Sequence, residues 1–339
     1  MSISRKFGLQ GLMLAMMAGL SVSTAQALTL KIATLSPEGT AWMQKMRAGA
    51  AEISEKTSDR VNFKFYPGGI MGDDESVLRK MRVGQLHGGA ITGGSLAKIL
   101  PDMLAYNMPF AFRNLDEVDT VRAIIDPELI AGLDKKSYVS FGLAEGGFAY
   151  LMSNKAVHSV ADLKDLKVWA PNGDRITYAV FQQGGVTPVA LPVSDVLTGL
   201  QTGLINTVSG PPIAAIALQW HTRVTHLTNL PLMYIYALMV IDKKQFMKIS
   251  PADRTIVRDV MERIYKEIDR ANRADNDQAI AALKSQGITY VELEQAERKR
   301  WYEIATGAAN QLRQQGVVGG KTVDKMFGIL KSSRAAEKK

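Results

Sequence analysis

Residues 28–66 carry the clearest structural signal in the chain: LTLKIATLSPEGTAWMQKMRAGAAEISEKTSDRVNFKFY. Leu28–Thr34 alternates and then becomes apolar, and Val61–Tyr66 alternates throughout, so both segments are predicted strands. Between them, Thr40–Thr57 has the apolar spacing of a helix. A strand, a helix and a second strand in this order begin an α/β fold with a largely parallel sheet.

The α/β pattern continues along the chain, and glycine and proline mark its breaks. A second α/β unit is predicted after Ser140. The remaining predicted elements are a helix over Asp73–Val83, a strand end and turn at Gly88–Gly94, strands at Ser140–Ala144, Phe148–Ser153, Lys167–Ala170, Thr187–Ala190 and Ile205–Val208, and a helix over Ser194–Thr202 capped by Ser194.

A long helix is predicted near the C-terminus. It begins at Ser250-Pro251, because serine caps a helix and proline is tolerated at the first helical position. If the helix runs unbroken to Ser285, it is about 54 Å long at 1.5 Å per residue, which is longer than one such domain is wide. We therefore expect it to lie across two lobes. Residues 331–339 are charged and small, and are predicted to be a loose tail.

The first 27 residues have the pattern of a cleavable signal peptide. Arg5 and Lys6 precede an apolar run from Gly11 to Val22, which is too short to span a bilayer, and Ala25-Gln26-Ala27 offers the small residues that a signal peptidase recognises. Cleavage after Ala27 would release a mature protein into the periplasm. The chain contains no cysteine, so disulfides are not expected.

Composition and motifs favour binding over catalysis. Lys+Arg 41 against Asp+Glu 33 gives a net charge of +8, but no basic block alternates with aromatic residues as nucleic-acid binding requires. The sequence has no HExxH, GxSxG or GxGxxG motif, and the four histidines form no metal-binding spacing. We expect no enzyme activity, no cofactor and no metal.

Several segments, in this order, resemble the solute receptors of tripartite ATP-independent periplasmic (TRAP) transporters, the family of the C4-dicarboxylate receptors. Each segment is weak alone, but together they cover nearly the whole chain after residue 27. They are IATLSPEGTAW (32–42), FYPGGIMGDDESVLRKMRVGQL (65–86), NMPFAFRN (107–114), SNKAVHSVADLKDLKVWAPNGD (153–174) and TPVALPVSDVLTGLQTGLINTVSGPP (187–212).

The resemblance implies a monomeric, two-lobed receptor that closes on one small solute, an organic acid in this family, and delivers it to a membrane permease. A receptor that instead reports solute to a membrane sensor is the alternative. By analogy, the first lobe comprises residues 28–146 and 236–275, and the second lobe comprises residues 147–235 and 276–330.

The positions that usually hold the solute differ in this chain. Family members present an arginine, which pairs with a carboxylate through its planar guanidinium, where this sequence has Trp169. A second basic position in some members is Ala149, and a polar position that contacts ligand is Gly210. The carboxylate site is therefore expected to be changed.

Two accounts of solute binding follow from these differences. In the first, an anion is held by Arg175 or by backbone N–H groups at the helix start after Gly173-Asp174, although Arg175 could equally be a surface residue paired with Asp174. Asn172 is a separate candidate that could either hold its turn or contact solute. In the second, aromatic side chains stack on a ring or enclose a cation, with Glu145 or Asp174 balancing the charge. The aromatic candidates are Phe148, Tyr150, Trp169, Tyr234 and Tyr236.

Core packing is the alternative for most of these aromatic residues, and we favour it for Tyr234 and Tyr236, which lie in the apolar run 232–241. Trp169 is instead expected to line the cleft. Thr92 and Ser95, in the glycine-rich turn after the third strand, are further candidates because their hydroxyl groups can form hydrogen bonds with a solute.

Overall fold

The computed structural model describes residues 27–318 and 320–337. The predicted signal peptide therefore lies almost entirely outside the described residues. The strands are β1 Leu28–Thr34, β2 Val61–Tyr66, β3 Gly88–Thr92, β4 Tyr138–Val139, β5 Ala144–Ser153, β6 Trp169–Pro171, β7 Val189–Leu191, β8 Thr207–Gly210, β9 His226–Asp242 and β10 Thr289–Val291.

The helices separate these strands, as the sequence pattern predicts for an α/β fold. Short 3-10 helices lie at Pro101–Asn107, Val160–Asp165, Val193–Asp195 and Trp220–Thr222. The α-helices are α1 Ala41–Lys56, α2 Asp74–Arg82, α3 Gly93–Leu96, α4 Leu115–Lys135, α5 Arg175–Gln183, α6 Val196–Thr202, α7 Pro212–Ala217, α8 Lys243–Phe246, α9 Pro251–Ser285, α10 Gln295–Gln314 and α11 Lys321–Ala336.

Eight of the described strands form one mixed sheet with the path β2-β1-β3-β9-β5-β8, to which β10 and β4 add through β9. As predicted, β1 pairs in parallel with β2, and it also pairs in parallel with β3. Strands β3 and β5 each pair antiparallel with β9, and β8 pairs antiparallel with β5. Strands β6 and β7 form a separate parallel pair.

Strands β5 and β9 run side by side through both halves of the molecule. Their pairing extends from Ala144 opposite Ala237 to Ser153 opposite His226, with register shifts after Glu145 and after Ala149. Because β9 pairs with β3 at one end and with β10 at the other, one long strand connects the two halves. The predicted lobe boundaries after residue 146 on β5 and after residue 235 on β9 both fall at the first of these shifts. The division into lobes stays a prediction.

Apolar clusters cover both faces of the sheet. One cluster lies under α2, α4 and α11 of the first lobe and extends to residues of α5 and α10. A second cluster lies under α1 and the first half of α9. The second lobe has a cluster against α5 and α10 and another around Trp169 and Trp220. This packing matches the requirement that each apolar face of a sheet be covered by helices.

Helix α9 confirms the predicted long helix. Ser250 caps it by accepting a hydrogen bond from the Asp253 N–H at 3.1 Å, and the helix runs unbroken to Ser285. Its first half contributes Val257, Val260, Met261, Ile264 and Ile268 to a first-lobe core. Its second half contributes Leu283 to a second-lobe core, so the helix spans both lobes.

The C-terminus differs from the prediction of a loose tail at 331–339. Helix α11 runs to Ala336 and packs on α4 of the first lobe, although residues 321–330 were assigned to the second. The helix is held by a residue far away in the sequence, because the Arg334 guanidinium donates to both Glu117 carboxylate oxygens at 2.7 Å. The Glu117 carboxylate is buried, so this bidentate pair satisfies a charge that water does not reach.

Two smaller predictions also require correction. Residues 140–143 are not a strand, and β5 begins only at Ala144 and continues without a break to Ser153. Ser194 lies inside a 3-10 turn and does not cap α6. Across the described part of the chain, no helix combines the length and the apolar character needed to cross a membrane.

Candidate functional site: the cleft between the lobes

The two lobes share an apolar cluster, and they also approach each other at two turns beside the predicted cleft. In the turn after β6, a Cβ atom placed on Gly173 would lie 2.5 Å from Glu75 Oε1 and 3.3 Å from Lys98 Nζ. In the loop after β2, a Cβ atom on Gly69 would lie 3.7 Å from the Ser194 Cβ. Since Glu75 and Lys98 form an ion pair within the first lobe, the Gly173 turn of the second lobe rests against that pair.

The first-lobe wall of the cleft contains a buried carboxylate and two hydroxyl groups. Asp74, at the start of α2, accepts hydrogen bonds from the Thr92 N–H at 3.0 Å and from the Thr92 hydroxyl at 2.7 Å. The Thr92 and Ser95 hydroxyl oxygens are 3.0 Å apart. Burial raises the pKa of Asp74, and the hydrogen bonds from Thr92 oppose that shift. The structure thus brings together Thr92 and Ser95, both predicted from sequence, with an acid that the prediction missed.

Asn107 is a second polar residue that the sequence argument missed. Its Nδ2 donates to the Tyr234 carbonyl at 3.3 Å, whereas its buried Oδ1 has no hydrogen-bond partner among the described residues. A Cβ atom on Gly94, in the glycine-rich turn, would lie 3.9 Å from this oxygen. An unpaired buried acceptor costs about 1–3 kcal/mol, so a hydrogen-bond donor at this turn would be favourable. Its only sequence signal is its place as the first residue of the NMPFAFRN segment.

Trp169 lies in a buried apolar cluster and not against an open cavity. Its side chain is 3% exposed, and its indole N–H donates to the Leu191 carbonyl at 3.0 Å. Its ring meets the Trp220 ring edge to face, with centroids 5.4 Å apart. The indole is therefore satisfied by internal contacts, and a direct contact with solute stays a prediction.

Gly210 leaves room for this tryptophan pair. A Cβ atom on Gly210 would lie 3.0 Å from the Trp220 ring, closer than nearly all ordinary Cβ contacts. A polar side chain at this position would collide with the indole unless Trp220 moved. Packing against Trp220 therefore favours glycine at position 210, and a contact of Gly210 with solute stays a prediction.

Asp174 caps the helix start at which the anion site is predicted. The Asp174 carboxylate accepts hydrogen bonds from the Ile176 and Thr177 N–H groups, each at 3.0 Å, and from the Thr177 hydroxyl at 2.6 Å. The aspartate thereby occupies two backbone donors of this helix, and a solute anion would compete with its negative charge. Anion binding here stays a prediction. Burial raises the pKa of Asp174, and its hydrogen bonds from Thr177 oppose that shift.

Arg175 and Asn172 are exposed on the second lobe. An Arg175 guanidinium nitrogen lies 3.4 Å from the Gln315 side-chain oxygen, so the side chain contacts the segment after α10. Asn172 stands next to Gly173, at the point where the turn meets Glu75. Of these two polar candidates, only Asn172 lies in the turn that meets the first lobe.

Tyr234 and Tyr236 are fully buried, in agreement with the core alternative. The Tyr236 hydroxyl donates to the Met103 carbonyl at 2.6 Å, and its ring crowds Gly93. The Tyr234 hydroxyl lies 3.2 Å from an Arg122 nitrogen and 3.2 Å from Glu145 Oε2. Burial raises the pKa of both phenols. Their hydroxyl groups are committed to internal bonds and not to a solute.

Phe148 and Tyr150 are half-buried on β5. The Phe148 ring packs edge to face on Tyr234 with centroids 5.9 Å apart. Tyr150 packs against the cluster that contains Trp169, and burial raises its pKa. These aromatic side chains are therefore distributed over separate clusters and do not form a single cage.

The fold and these contacts define a two-lobed α/β protein in which the Gly173 turn of the second lobe approaches the first lobe at Glu75, next to the buried Asp74. Within residues 27–318 and 320–337, no group of acidic or histidine side chains is arranged to hold a metal ion. Residues 32–315 match the model of bacterial extracellular solute-binding protein family 7, the DctP family. The chain belongs to this family, the solute receptors of TRAP transporters, and is a receptor and not an enzyme.

The relatives agree with this membership. The C4-dicarboxylate-binding periplasmic protein DctP of Rhodobacter capsulatus is 26% identical over 80% of this chain and 82% of its own. The sialic acid-binding periplasmic protein SiaP of Vibrio cholerae is 21% identical over 81% and 86%. The family is periplasmic.

A solved structure establishes the same fold. The sugar acid binding protein DctPAm of Advenella mimigardefordensis, in complex with galactonate, superposes with a TM-score of 0.83 at 18% identity, covering 91% of this chain and 99% of that chain. The predicted two-lobed fold is confirmed.

Proposed function

We propose that this protein captures one small, hydroxyl-bearing organic acid in the cleft and delivers it to a TRAP-type membrane permease. The relatives support the acid: the named ligands of DctP and SiaP are a C4-dicarboxylate and sialic acid, and DctPAm holds galactonate. Each of these ligands carries a carboxylate. Export through cleavage after Ala27, and a monomeric receptor, are parts of the same proposal.

The observation that carries the proposal is the polar first-lobe wall opposite the Gly173 turn. Hydroxyl and carboxamide oxygens of Thr92, Ser95 and Asn107 lie around one glycine-rich turn, and the buried Asp74 carboxylate supports them. Oxygen acceptors of this kind bind solute hydroxyl groups, because each hydroxyl brings a donor. Asn172 is the proposed partner of the solute from the second lobe.

A cationic or aromatic solute is the second candidate. It is favoured by the buried Asp74 carboxylate together with Trp169 and Ala149 at the positions where family members use basic residues. An ammonium group near Asp74 would gain a charge-assisted hydrogen bond. The two candidates differ in charge, so identifying the bound molecule separates them.

The test begins with the protein purified gently from the periplasm. Native mass spectrometry should find one small molecule per chain and a polypeptide that begins at Leu28. A released molecule with a carboxylate and hydroxyl groups supports the proposal, whereas a cation or an uncharged aromatic molecule supports the second candidate. Chemical conversion of the bound molecule would contradict a receptor function.

A thermal-shift series then measures specificity with succinate, D-galactonate, D-glucuronate and sialic acid. A ligand at 100 times its Kd should stabilise the protein by about 2.7 kcal/mol. Asn172→Ala should weaken the shift, and Asn154→Ala, an exposed asparagine in another second-lobe turn, serves as the matched control. Equal shifts for both variants would remove Asn172 from the site.

A further inference from the structure

Strand β5 bends where it passes from one lobe to the other. Its register against β9 shifts between Glu145 and Gly147, and Gly147 has a φ of +95°, in the region that favours glycine. A shift of this kind marks a bulge, at which a strand bends and its ladder is interrupted. The backbone groups at the bulge therefore need other partners.

Helix α9 supplies those partners with three polar side chains. Asp269 Oδ1 accepts a hydrogen bond from the Glu145 N–H at 2.8 Å, and Asn272 Nδ2 donates to the Glu145 carbonyl at 2.5 Å. Asn276 Nδ2 donates to the Gly146 carbonyl at 3.0 Å. Positions 269, 272 and 276 lie on one face of a helix, so α9 follows the bend of β5 over two turns.

Asn276 also contacts helix α7 of the second lobe. Its Oδ1 accepts a hydrogen bond from the Ile213 N–H of α7 at 3.4 Å. A Cβ atom on Gly147 would lie 2.7 Å from Asn276 Nδ2, so only glycine allows this approach. One carboxamide thus joins the crossing strand, the spanning helix and a second-lobe helix.

We propose that Asp269, Asn272 and Asn276 act as a pivot clamp: they fix the bulge of β5 on α9 and so determine how the two lobes are oriented. These are positioning residues, since they lie at the crossing strand and not at the cleft wall formed by Thr92 and Ser95. The inference deepens the proposed receptor function, because solute capture between lobes needs a defined relative orientation. Removing the clamp should widen the range of lobe orientations without unfolding either lobe.

The test measures the distance between the lobes in the solute-free protein. The chain has no native cysteine, so Ala48→Cys on the first lobe and Lys164→Cys on the second, both exposed, accept spin labels without background. Double electron–electron resonance should give a narrow distance distribution for the parent. The Asn272→Ala/Asn276→Ala variant should give a broader or displaced one. Gln278→Ala, on the exposed face of α9, is the matched control and should leave the distribution unchanged.

Asn276→Asp provides a conservative second variant. It keeps the oxygen that accepts from the Ile213 N–H but removes the N–H donor to Gly146. Hydrogen exchange of the Ile213 amide should therefore stay near the parent rate in Asn276→Asp and rise about tenfold in Asn276→Ala, the effect of one lost hydrogen bond. The lobe distribution should broaden in both variants.

An unchanged distance distribution in the double variant, with native helix content by circular dichroism, would overturn the pivot clamp. If the double variant fails to fold, Asn276→Asp decides the question by the same measurement. These experiments use protein unfolded in guanidinium and refolded without solute. Chemical conversion of a bound molecule would therefore refute the receptor proposal and leave the pivot result unaffected.

Discussion

Replacing Trp169 by alanine tests whether this side chain stabilises the core or contacts solute. Removing a buried tryptophan costs about 3–5 kcal/mol, because apolar contacts are lost and a cavity remains. The Leu191 carbonyl also loses its 3.0 Å hydrogen bond, which adds about 1 kcal/mol. The expected loss is therefore about 4–6 kcal/mol, a large part of the 5–15 kcal/mol that stabilises a typical domain.

Differential scanning calorimetry and guanidinium unfolding measure this loss. With an unfolding entropy of about 2.1 cal/mol/K per residue, a chain of this length loses about 1.5 °C per kcal/mol, so the midpoint should fall by roughly 6–9 °C. Trp169→Phe keeps an aromatic ring beside Trp220 but removes the N–H donor, so it should cost about 1 kcal/mol for the bond and a further amount for the smaller ring. Trp42→Ala, at a half-buried position, should cost less than Trp169→Ala.

The opposite pattern would refute the reasoning. If Trp169→Ala melts within a degree or two of the parent and loses binding of the co-purified molecule, the indole is a solute contact and not a core residue. If Trp169→Ala does not fold, Trp169→Phe with solute binding near that of the parent still supports the core assignment.

Three further predictions concern stability. Arg334→Ala removes the bidentate partner of the buried Glu117 carboxylate but leaves it the Arg113 N–H at 2.8 Å, so it should cost about 1–3 kcal/mol in guanidinium unfolding. The hydrogen bond from Arg60 lowers the pKa of Asp253, so stability from this pair is present above the ordinary aspartate pKa and is lost as pH falls through the lowered one. Asp253→Asn should flatten that part of the acid-unfolding profile. Gly328→Ala, exposed in α11 with open space around it, should stabilise the protein by about 0.5–1 kcal/mol in thermal unfolding.

Each of these predictions has its own contrary outcome. Lys331→Ala is the control for Arg334, and equal stability of the two variants would mean that α11 is not held by the ion pair. An acid-unfolding profile that is the same for Asp253→Asn and the parent would show that the Arg60 pair carries no pH-dependent stability. A Gly328→Ala variant less stable than the parent would contradict an open helical position.

The sequence determined those elements whose signals are local. Alternating apolar and polar residues predicted the first and last residues of β1 and β2, because one face of each strand is more buried than the other. A serine cap, a proline at the first helical position and a long amphipathic run predicted the start and the end of α9. The ordered motifs predicted the family, which the match to residues 32–315 confirms.

The tertiary structure decided what depends on contacts between distant residues. The sequence did not predict the length of β9, because its half-buried positions Met233, Ile235 and Ala237 are apolar as well. The residue types therefore do not alternate, although burial alternates from 229 to 238. The C-terminal helix was predicted as a tail because its partner Glu117 lies more than two hundred residues earlier.

The same division holds at the candidate site. The sequence located the glycine-rich turn with Thr92 and Ser95, since small polar residues in a turn are a local signal. It did not show that Asp174 occupies the N–H groups at the start of α5, or that Trp169 fills the core beside Trp220. Residue type limits which hydrogen bonds and contacts a side chain can make, but only packing decides which partner it meets, because that choice depends on neighbours brought together by the fold.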